Sequence, residues 1–334
     1  MFTAKVFKIM VITIVILLGS SVAVVVLAGK QLEAPVLGII SPLSDDEKLI
    51  AIQKQEVSDK KTVDSYPANE YFPSSLTPRF TDVPEIKATA YAVMERKSRE
   101  LLVAKNLTTE HPIASVAKIM TAVVALDSKD LDLELRVSSS AAEIGEATMG
   151  LTAGERVTVE DLLYGLLLPS GNDAAETLAE GLTGGRTNFL RAMNEKAAEL
   201  GLFDSYFFNP SGLDGDTRET TTFSTGLDLL ALTNYALSSP TFAEIVDTRY
   251  KEIPYIENKH KAFYLNNILQ LDASYPGVKG VKPGITDFAG ETLVSYAENG
   301  GKQIIIVLLG TQYSRDEVVK LYDYVFAKLG VRVR

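Results

Sequence analysis

The sequence predicts an α+β domain, with one antiparallel sheet formed from both ends of the folded region, flanked by helices, and a helical subdomain between those ends. Three observations carry this. Two strand-like stretches, "KATAYAVMER" (87–96) and "ELLVAK" (100–105), stand at one end of the region. Three more, "GVKGVKP" (277–283), "ETLVSYAE" (291–298) and "KQIIIVLLG" (302–310), stand at the other. Between them apolar residues recur at helical spacing. Strands at both ends of a helical middle bury their faces by pairing with one another and taking the helices on top.

The chain begins with a different pattern. Residues 9–28, "IMVITIVILLGSSVAVVVLA", carry no charge, which is long enough to cross a bilayer. Lys5 and Lys8 precede them, so the positive-inside rule keeps residues 1–8 cytoplasmic and sends the rest of the chain outside. Residues 9–29 are accordingly expected to be a transmembrane signal anchor. Val26-Leu27-Ala28 would also pass as a signal cleavage site, which would leave the protein secreted. Residues 30–84 hold six of the thirteen prolines among small polar and charged residues, with one short helix expected around Asp45 to Gln55. They are read as an extracytoplasmic tether, flexible enough to hold a domain off the membrane. The folded domain is expected over 85–334.

Within that domain the first two strands are joined by the polar turn Lys97-Ser98-Arg99. Helices are expected from Ser115 to about Leu126, from Val159 to Leu168 and from Asp173 to Leu182. Asn299-Gly300-Gly301 separates the last two strands, and an amphipathic helix from Ser314 to Leu329 closes the chain. There is no internal repeat.

Composition narrows the chemistry. The formal net charge of −10, without clustered Lys and Arg, argues against a nucleic-acid partner. The absence of cysteine removes thiol nucleophiles, disulfides and thiolate zinc sites. His111 and His260 alone leave little for a histidine metal site. Serine, lysine, asparagine and carboxylates remain.

In "HPIASVAKIMTAVVAL" (111–126) no charge follows Lys118, which therefore opens a segment that looks buried. Residues three apart on a helix share nearly one face, so Ser115 and Lys118 can touch. A serine hydroxyl attacks only if a base takes its proton, and lysine is that base only when neutral. Lowering a lysine from ~10.4 to about 7 corresponds to roughly 4–5 kcal/mol, within reach of burial or a neighbouring cation. The pattern alone is weak, because Ser58-Asp-Lys-Lys61 repeats it in the tether without an apolar helix. His111 is a rival base, but it sits beside Pro112 at the start of the helix.

Two further stretches add context. In "LLPSGNDAAETLAE" Ser170-Gly171-Asn172 fall in a break between helices, where a turn can aim a hydroxyl and an amide into a cleft. An ordinary helix cap is the bland alternative. Lys282-Pro283-Gly284 lies on a strand, and proline in a sheet is confined to edge positions. Lys328-Leu329-Gly330 has the same form but reads as a helix end with glycine as its stop.

These three elements, 55 and then 112 positions apart, resemble the active-site set of the penicillin-recognising serine enzymes. The chain is most similar to the serine-type D-alanyl-D-alanine carboxypeptidases, the low-molecular-mass penicillin-binding proteins. The similarity runs from about Pro84 to Leu329, through "PIASVAKIMTA", "LLYGLLLPSGNDAAETLAE", "FFNPSGLDG", "FSTGLDL" and "GVKGVKPGITDFAGETLV". It implies a β-lactamase/transpeptidase-like fold, with Ser115 as acylated nucleophile and Lys118 as its base. Ser170 would relay a proton to the leaving amine with help from Lys282. Asn172 would hold Lys118 and the substrate backbone. Lys282 would face the substrate carboxylate on a strand that carries Gly284, and the backbone N–H groups of Ser115 and Ile285 would bind the oxyanion. The implied substrate is a peptidoglycan stem peptide that loses its terminal D-alanine, with β-lactam antibiotics as covalent inhibitors and no metal or cofactor.

The chain also departs from that family. Pro283 stands where most members place a hydroxyl that helps bind the carboxylate, and Thr286 is the nearest replacement in sequence. Some members carry an arginine before the lysine strand, where "FYLNNILQL" offers only Asn266 and Asn267. The second β-domain and C-terminal amphipathic anchor of many members are not expected after the closing helix, and the N-terminal segment is expected to supply the anchoring. Two alternatives follow: a β-lactamase-like hydrolase, although the Glu-x-x-Leu-Asn deacylation motif is missing, and a catalytically weak penicillin- or peptidoglycan-binding protein.

Overall fold

The computed structural model describes residues 70–271 and 274–333. The expected anchor at 9–29, the helix near 45–55 and the Ser58 to Lys61 copy lie outside them. In chain order the elements are β1 (Ala90–Glu95), β2 (Glu100–Lys105), β3 (His111–Pro112), α1 (Lys118–Asp127), β4 (Glu134–Arg136), α2 (Ser139–Ala142) and β5 (Arg156–Thr158). There follow α3 (Val159–Leu167), α4 (Asn172–Gly181), α5 (Arg186–Leu200), β6 (Phe223–Ser224), α6 (Gly226–Ala236) and α7 (Pro240–Asp247). The last are β7 (Tyr250–Ile253), β8 (Phe263–Asn266), β9 (Val278–Thr286), β10 (Gly290–Asn299), β11 (Lys302–Thr311) and α8 (Ser314–Lys328).

The main sheet has the order β2-β1-β11-β10-β9, and every neighbouring pair is antiparallel. Both ends of the domain therefore build it, as expected. β11 sits at its centre, which explains the unbroken apolar run Ile304 to Leu309. Ile305, Val307 and Leu309 join the core shared with the helical subdomain, while Ile304, Ile306 and Leu308 join the core under α8. A strand covered on both faces has no polar side to alternate with. On the α8 side Tyr275, Tyr322 and Phe326 stack.

The other face carries the helices. α6 is buried along almost its whole length, and Thr225 caps it by accepting the Asp228 N–H at 3.1 Å. A helix buried all round shows no polar stripe, so periodicity did not mark it out. Small residues let it approach the sheet: a Cβ on Gly226 would stand 3.4 Å from Ala92 Cβ. α2, α5 and α7 likewise add to the three central helices expected.

The folded domain begins before the expected residue 85. Phe72 is buried in the core, and Tyr71 meets Tyr235 edge-on at 5.1 Å. Arg79 and Phe80 donate their N–H groups to Leu101 and Leu102 of β2 at 2.9 Å. Asp82 accepts from Tyr324 Oη at 2.7 Å and Lys328 Nζ at 2.6 Å. The proline-rich composition concealed a segment that covers an edge strand, a device that shields unpaired backbone groups. No described helix is long and apolar enough to cross a membrane.

Candidate active site

Ser115 does not lie on an α-helix, as the sequence suggested, but on a 3-10 turn, Ala114–Ala117, that leads into α1. In a 3-10 turn side chains at i and i+3 eclipse, so Ser115 stands directly over Lys118. Lys118 Nζ lies 2.9 Å from Ser115 Oγ. Its other partners are Asn172 Oδ1 and the Ser211 carbonyl oxygen, each at 2.7 Å. Both of these oxygens can only accept. A neutral amine has two N–H groups and one lone pair, so giving both N–H groups to the amide oxygens leaves the lone pair for the Ser115 hydroxyl proton.

Lys118 is fully buried. Burial first, and then the charge of Lys282, hold its ammonium well below the ordinary lysine value, against the opposing pull of Glu146, Asp173 and Glu176. The unprotonated form that a base requires is thereby favoured.

Asn172 opens α4, whose N-terminus has no side-chain cap, so the bland alternative for this break does not hold. Its amide faces inward: Oδ1 meets Lys118, and Nδ2 donates to the Gly145 carbonyl at 3.2 Å. Ser170 is buried at φ +67°, a left-handed conformation uncommon outside glycine and found at functional turns. Asp173, fully buried, accepts the N–H groups of Met149, Gly150 and Leu151 at 2.8–2.9 Å. It thereby ties this loop to the segment that carries Glu146 and Ala147 along the cleft.

The Ser211 carbonyl was not singled out from sequence, although "FFNPSGLDG" surrounds it. Asn209 Oδ1 accepts from Ser211 N, Ser211 Oγ and Gly212 N, a local turn that fixes where the Ser211 carbonyl points. Gly212 has φ +82°, and a Cβ there would stand 1.8 Å from the Ala114 carbonyl oxygen. No larger residue fits beside the turn that carries Ser115.

β9 forms the other wall and is the sheet edge. Lys282 is fully buried, and its Nζ donates to the Pro283 carbonyl at 2.9 Å. Burial pushes its pKa down to about 7. Pro283 has no N–H to give to β10, so its nitrogen faces the open edge, and the two-residue period of a strand puts the Ile285 N–H on that same edge. Gly284 passes so close to Ser115 that a Cβ there would lie 2.8 Å from Ser115 N.

Ser115, Ser170, Asn172, Pro283, Gly284 and Ile285 line one cleft of about 640 Å³. The two lysines lie beneath it. Thr286 is not brought to the cleft: its Oγ1 accepts the Ala289 N–H at 3.2 Å inside the β9–β10 turn. Arg315 of α8 is, although sequence reading passed over it because it lies 33 positions after Lys282 rather than before it. Its Nη2 donates to the Ile268 carbonyl at 2.8 Å. His111 is buried away from this chemistry. Its Nδ1 lies 2.7 Å from the Pro112 carbonyl oxygen, and its Nε2 packs against Gly310.

Residues 77–313 match the family model described as D-alanyl-D-alanine carboxypeptidase, peptidase S11. The chain is 32% identical over 251 residues to D-alanyl-D-alanine carboxypeptidase DacF of Bacillus subtilis, covering 72% of this chain but 63% of that protein, less than two thirds of its length. It is 33% identical over 251 residues to D-alanyl-D-alanine carboxypeptidase DacB2 of Mycobacterium tuberculosis, covering 73% of this chain and 84% of the relative. A solved structure of a D-alanyl-D-alanine carboxypeptidase from Mycobacterium tuberculosis superposes with a TM-score of 0.69 at 32% identity, covering 76% of this chain and 96% of that one.

Proposed function

The chain belongs to the D-alanyl-D-alanine carboxypeptidase family, and on that premise we propose that it removes the terminal D-alanine from peptidoglycan stem peptides through an acyl-enzyme on Ser115. The observation that carries this is the buried Lys118 amine, 2.9 Å from Ser115 Oγ, with two acceptor-only oxygens engaging its N–H groups. Lys118 takes the hydroxyl proton as Ser115 Oγ attacks the penultimate D-alanyl carbonyl. The oxyanion is held between the N–H groups of Ser115 and Ile285. Ser170 passes a proton to the departing amine, and water then hydrolyses the ester. Asn172 orients Lys118 and meets the substrate backbone.

The leaving residue ends in a carboxylate, and Arg315 together with Lys282 is the cationic pair that receives it. This reading replaces Thr286 as the group that compensates for the missing hydroxyl at 283. It is supported by the positions of Arg315 and Pro283 in the same cleft. Incubation of the purified protein with a stem pentapeptide should release one alanine, detected by mass. An intact pentapeptide beside stable penicillin labelling would favour a weak penicillin-binding protein instead, the reading that Pro283 first suggested.

We also propose that residues 9–29 anchor the domain on the extracytoplasmic face of the membrane, with 1–8 inside. The uncharged run and the preceding Lys5 and Lys8 support this. External protease should shed the domain from intact cells. Mature protein beginning at Gly29 would instead make the run a cleaved signal.

A further inference from the structure

One carboxylate of the cleft is held firmly in place and yet has nothing to bind. Glu146 stands at φ +58°, a left-handed conformation that costs a non-glycine residue energy and persists only where the surroundings enforce it. Asn172 enforces it here. Its backbone N–H donates to the Ala147 carbonyl at 2.7 Å and its Nδ2 to the Gly145 carbonyl at 3.2 Å, so the carbonyls on either side of Glu146 are clamped by the residue whose Oδ1 holds Lys118. The Glu146 side chain is exposed and lines the cleft with Ser115. Among the described residues its carboxylate has no hydrogen-bond or ion-pair partner. We propose that Glu146 is a specificity residue, which receives an ammonium group borne by a side chain of the stem peptide on the acyl side of the scissile bond. The inference rests on the carboxypeptidase reading above and names the class of stem peptide that the cleft prefers.

Geometry assigns the side. Glu146 and Ala147 share the wall of the helical subdomain with Ser170 and Asn172, whereas Pro283, Gly284 and Ile285 form the sheet wall. The carboxylate of the leaving residue is received at Arg315, on α8. A second carboxylate placed to meet that same group would repel it. Glu146 therefore serves the other part of the substrate, the acyl chain, which passes the Asn172 amide and so reaches the segment that Asn172 clamps. The D-alanyl residue that is attacked has no charged side chain, and the partner of Glu146 must come from a residue further into the peptide.

Charge assigns the class. The charged residues of the lining are Glu146, Glu291, Arg315 and Asp316. Glu291 is engaged by Ser314, whose N–H and Oγ donate to it at 2.9 and 2.6 Å, and Asp316 adjoins Arg315 in the first turn of α8. Glu146 is the acid of the opposite wall, away from that arginine. Its field reaches Lys118, where it opposes the burial and the Lys282 charge that keep that amine neutral. A lining with more carboxylates than guanidiniums favours a ligand that brings a cation of its own, and a primary ammonium on a flexible side chain meets a single exposed carboxylate without demanding a fixed fork geometry.

The test compares the full-length protein with Glu146→Gln and Glu146→Lys on two linear pentapeptides that end in D-alanyl-D-alanine. They differ only at the preceding residue, a lysine whose ε-amine is free in one peptide and acetylated in the other. Release of alanine gives kcat/KM for each. The wild type should favour the free amine by about fivefold or more at low ionic strength, and the preference should shrink as salt screens it. Glu146→Gln should bring the two values within about twofold, and Glu146→Lys should reverse them. The ratio measured on one sample does not depend on the folded fraction or on any change at Lys118, which a merely structural role would alter for both peptides alike. Should a variant fail to fold, the wild-type ratio and its loss in salt decide alone. A wild type indifferent to acetylation, or a Glu146→Gln that keeps the wild-type ratio, overturns the inference and spares the carboxypeptidase reading. A protein that releases alanine from neither peptide overturns both.

Discussion

Gly284 brings the edge strand so close to Ser115 that a Cβ at 284 would stand 2.8 Å from the Ser115 backbone nitrogen. That nitrogen is one of the two oxyanion donors proposed here. Gly284→Ala should therefore force the edge strand and the Ser115 turn apart and slow acylation, because the added methyl group would crowd Ser115 N, Thr292 Oγ1 and Ala114 Cβ. Loss of one such donor lowers turnover about 10²–10³-fold. Stopped-flow acylation by a chromogenic β-lactam measures it, and a rate within about threefold of wild type would remove Gly284 from the site.

A labelled penicillin should attach to Ser115 alone, and Ser115→Ala should abolish the label. Lys118→Arg keeps a cation of similar reach that does not deprotonate. The loss of its base should slow acylation about 10²–10⁴-fold. Peptide mapping together with the acylation rate checks both. Label on another residue, or an active Lys118→Arg, would overturn the assignment of nucleophile or base.

Lys282 makes stability depend on pH. Its pKa in the folded protein is about 7, against 10.5 for the ordinary side chain. Between these values the unfolded chain binds more protons than the folded one, so stability rises with pH across this window. The burial cost is fully present below about 7 and gone above about 10.5. Lys282→Met should thus be more stable than wild type by about 2–5 kcal/mol at pH 6, with the gain shrinking toward pH 10. Urea melts at the two pH values decide it. A gain independent of pH would mean that the lysine is not buried as a strained cation.

Carboxylate binding should depend on Arg315 rather than on Thr286. A hydrogen bond to a charged group contributes about 1.5–3 kcal/mol, so Arg315→Ala should lower kcat/KM on the pentapeptide roughly 10- to 100-fold, mainly through KM. Thr286→Val, which removes an acceptor inside the hairpin turn, should change it by less than about threefold. The reverse ranking would restore Thr286 to the site.

Asp173 should prove structural. Asp173→Ala leaves the N–H groups of buried Met149 and Leu151 and of half-buried Gly150 without their acceptor. Each unsatisfied buried donor costs about 1–3 kcal/mol. A fall of several degrees in Tm is expected, with acylation impaired because the Ser170 loop loses its tie to the segment bearing Glu146.

Much of this protein was determined by its sequence alone. Strands at both ends of a helical middle pair into one sheet because pairing satisfies their backbone groups and aligns their apolar side chains into faces that the helices can cover. The buried lysine was legible because a charge at the head of the uncharged run Ile119 to Leu126 needs a partner, and Ser115 lies within one turn of it. Pro283 announced an edge strand because a missing N–H is tolerated only there. Local spacing could not reveal contacts between distant segments. Arg315 reaches the cleft only because α8 packs under the sheet. The Ser211 carbonyl reaches Lys118 only because Gly212 lets its loop press against Ala114. Thr286 Oγ1 instead takes the Ala289 N–H inside the hairpin turn, a contact that sequence proximity to Lys282 does not disclose. Periodicity reports which face of an element is covered, and tertiary packing alone decides what covers it.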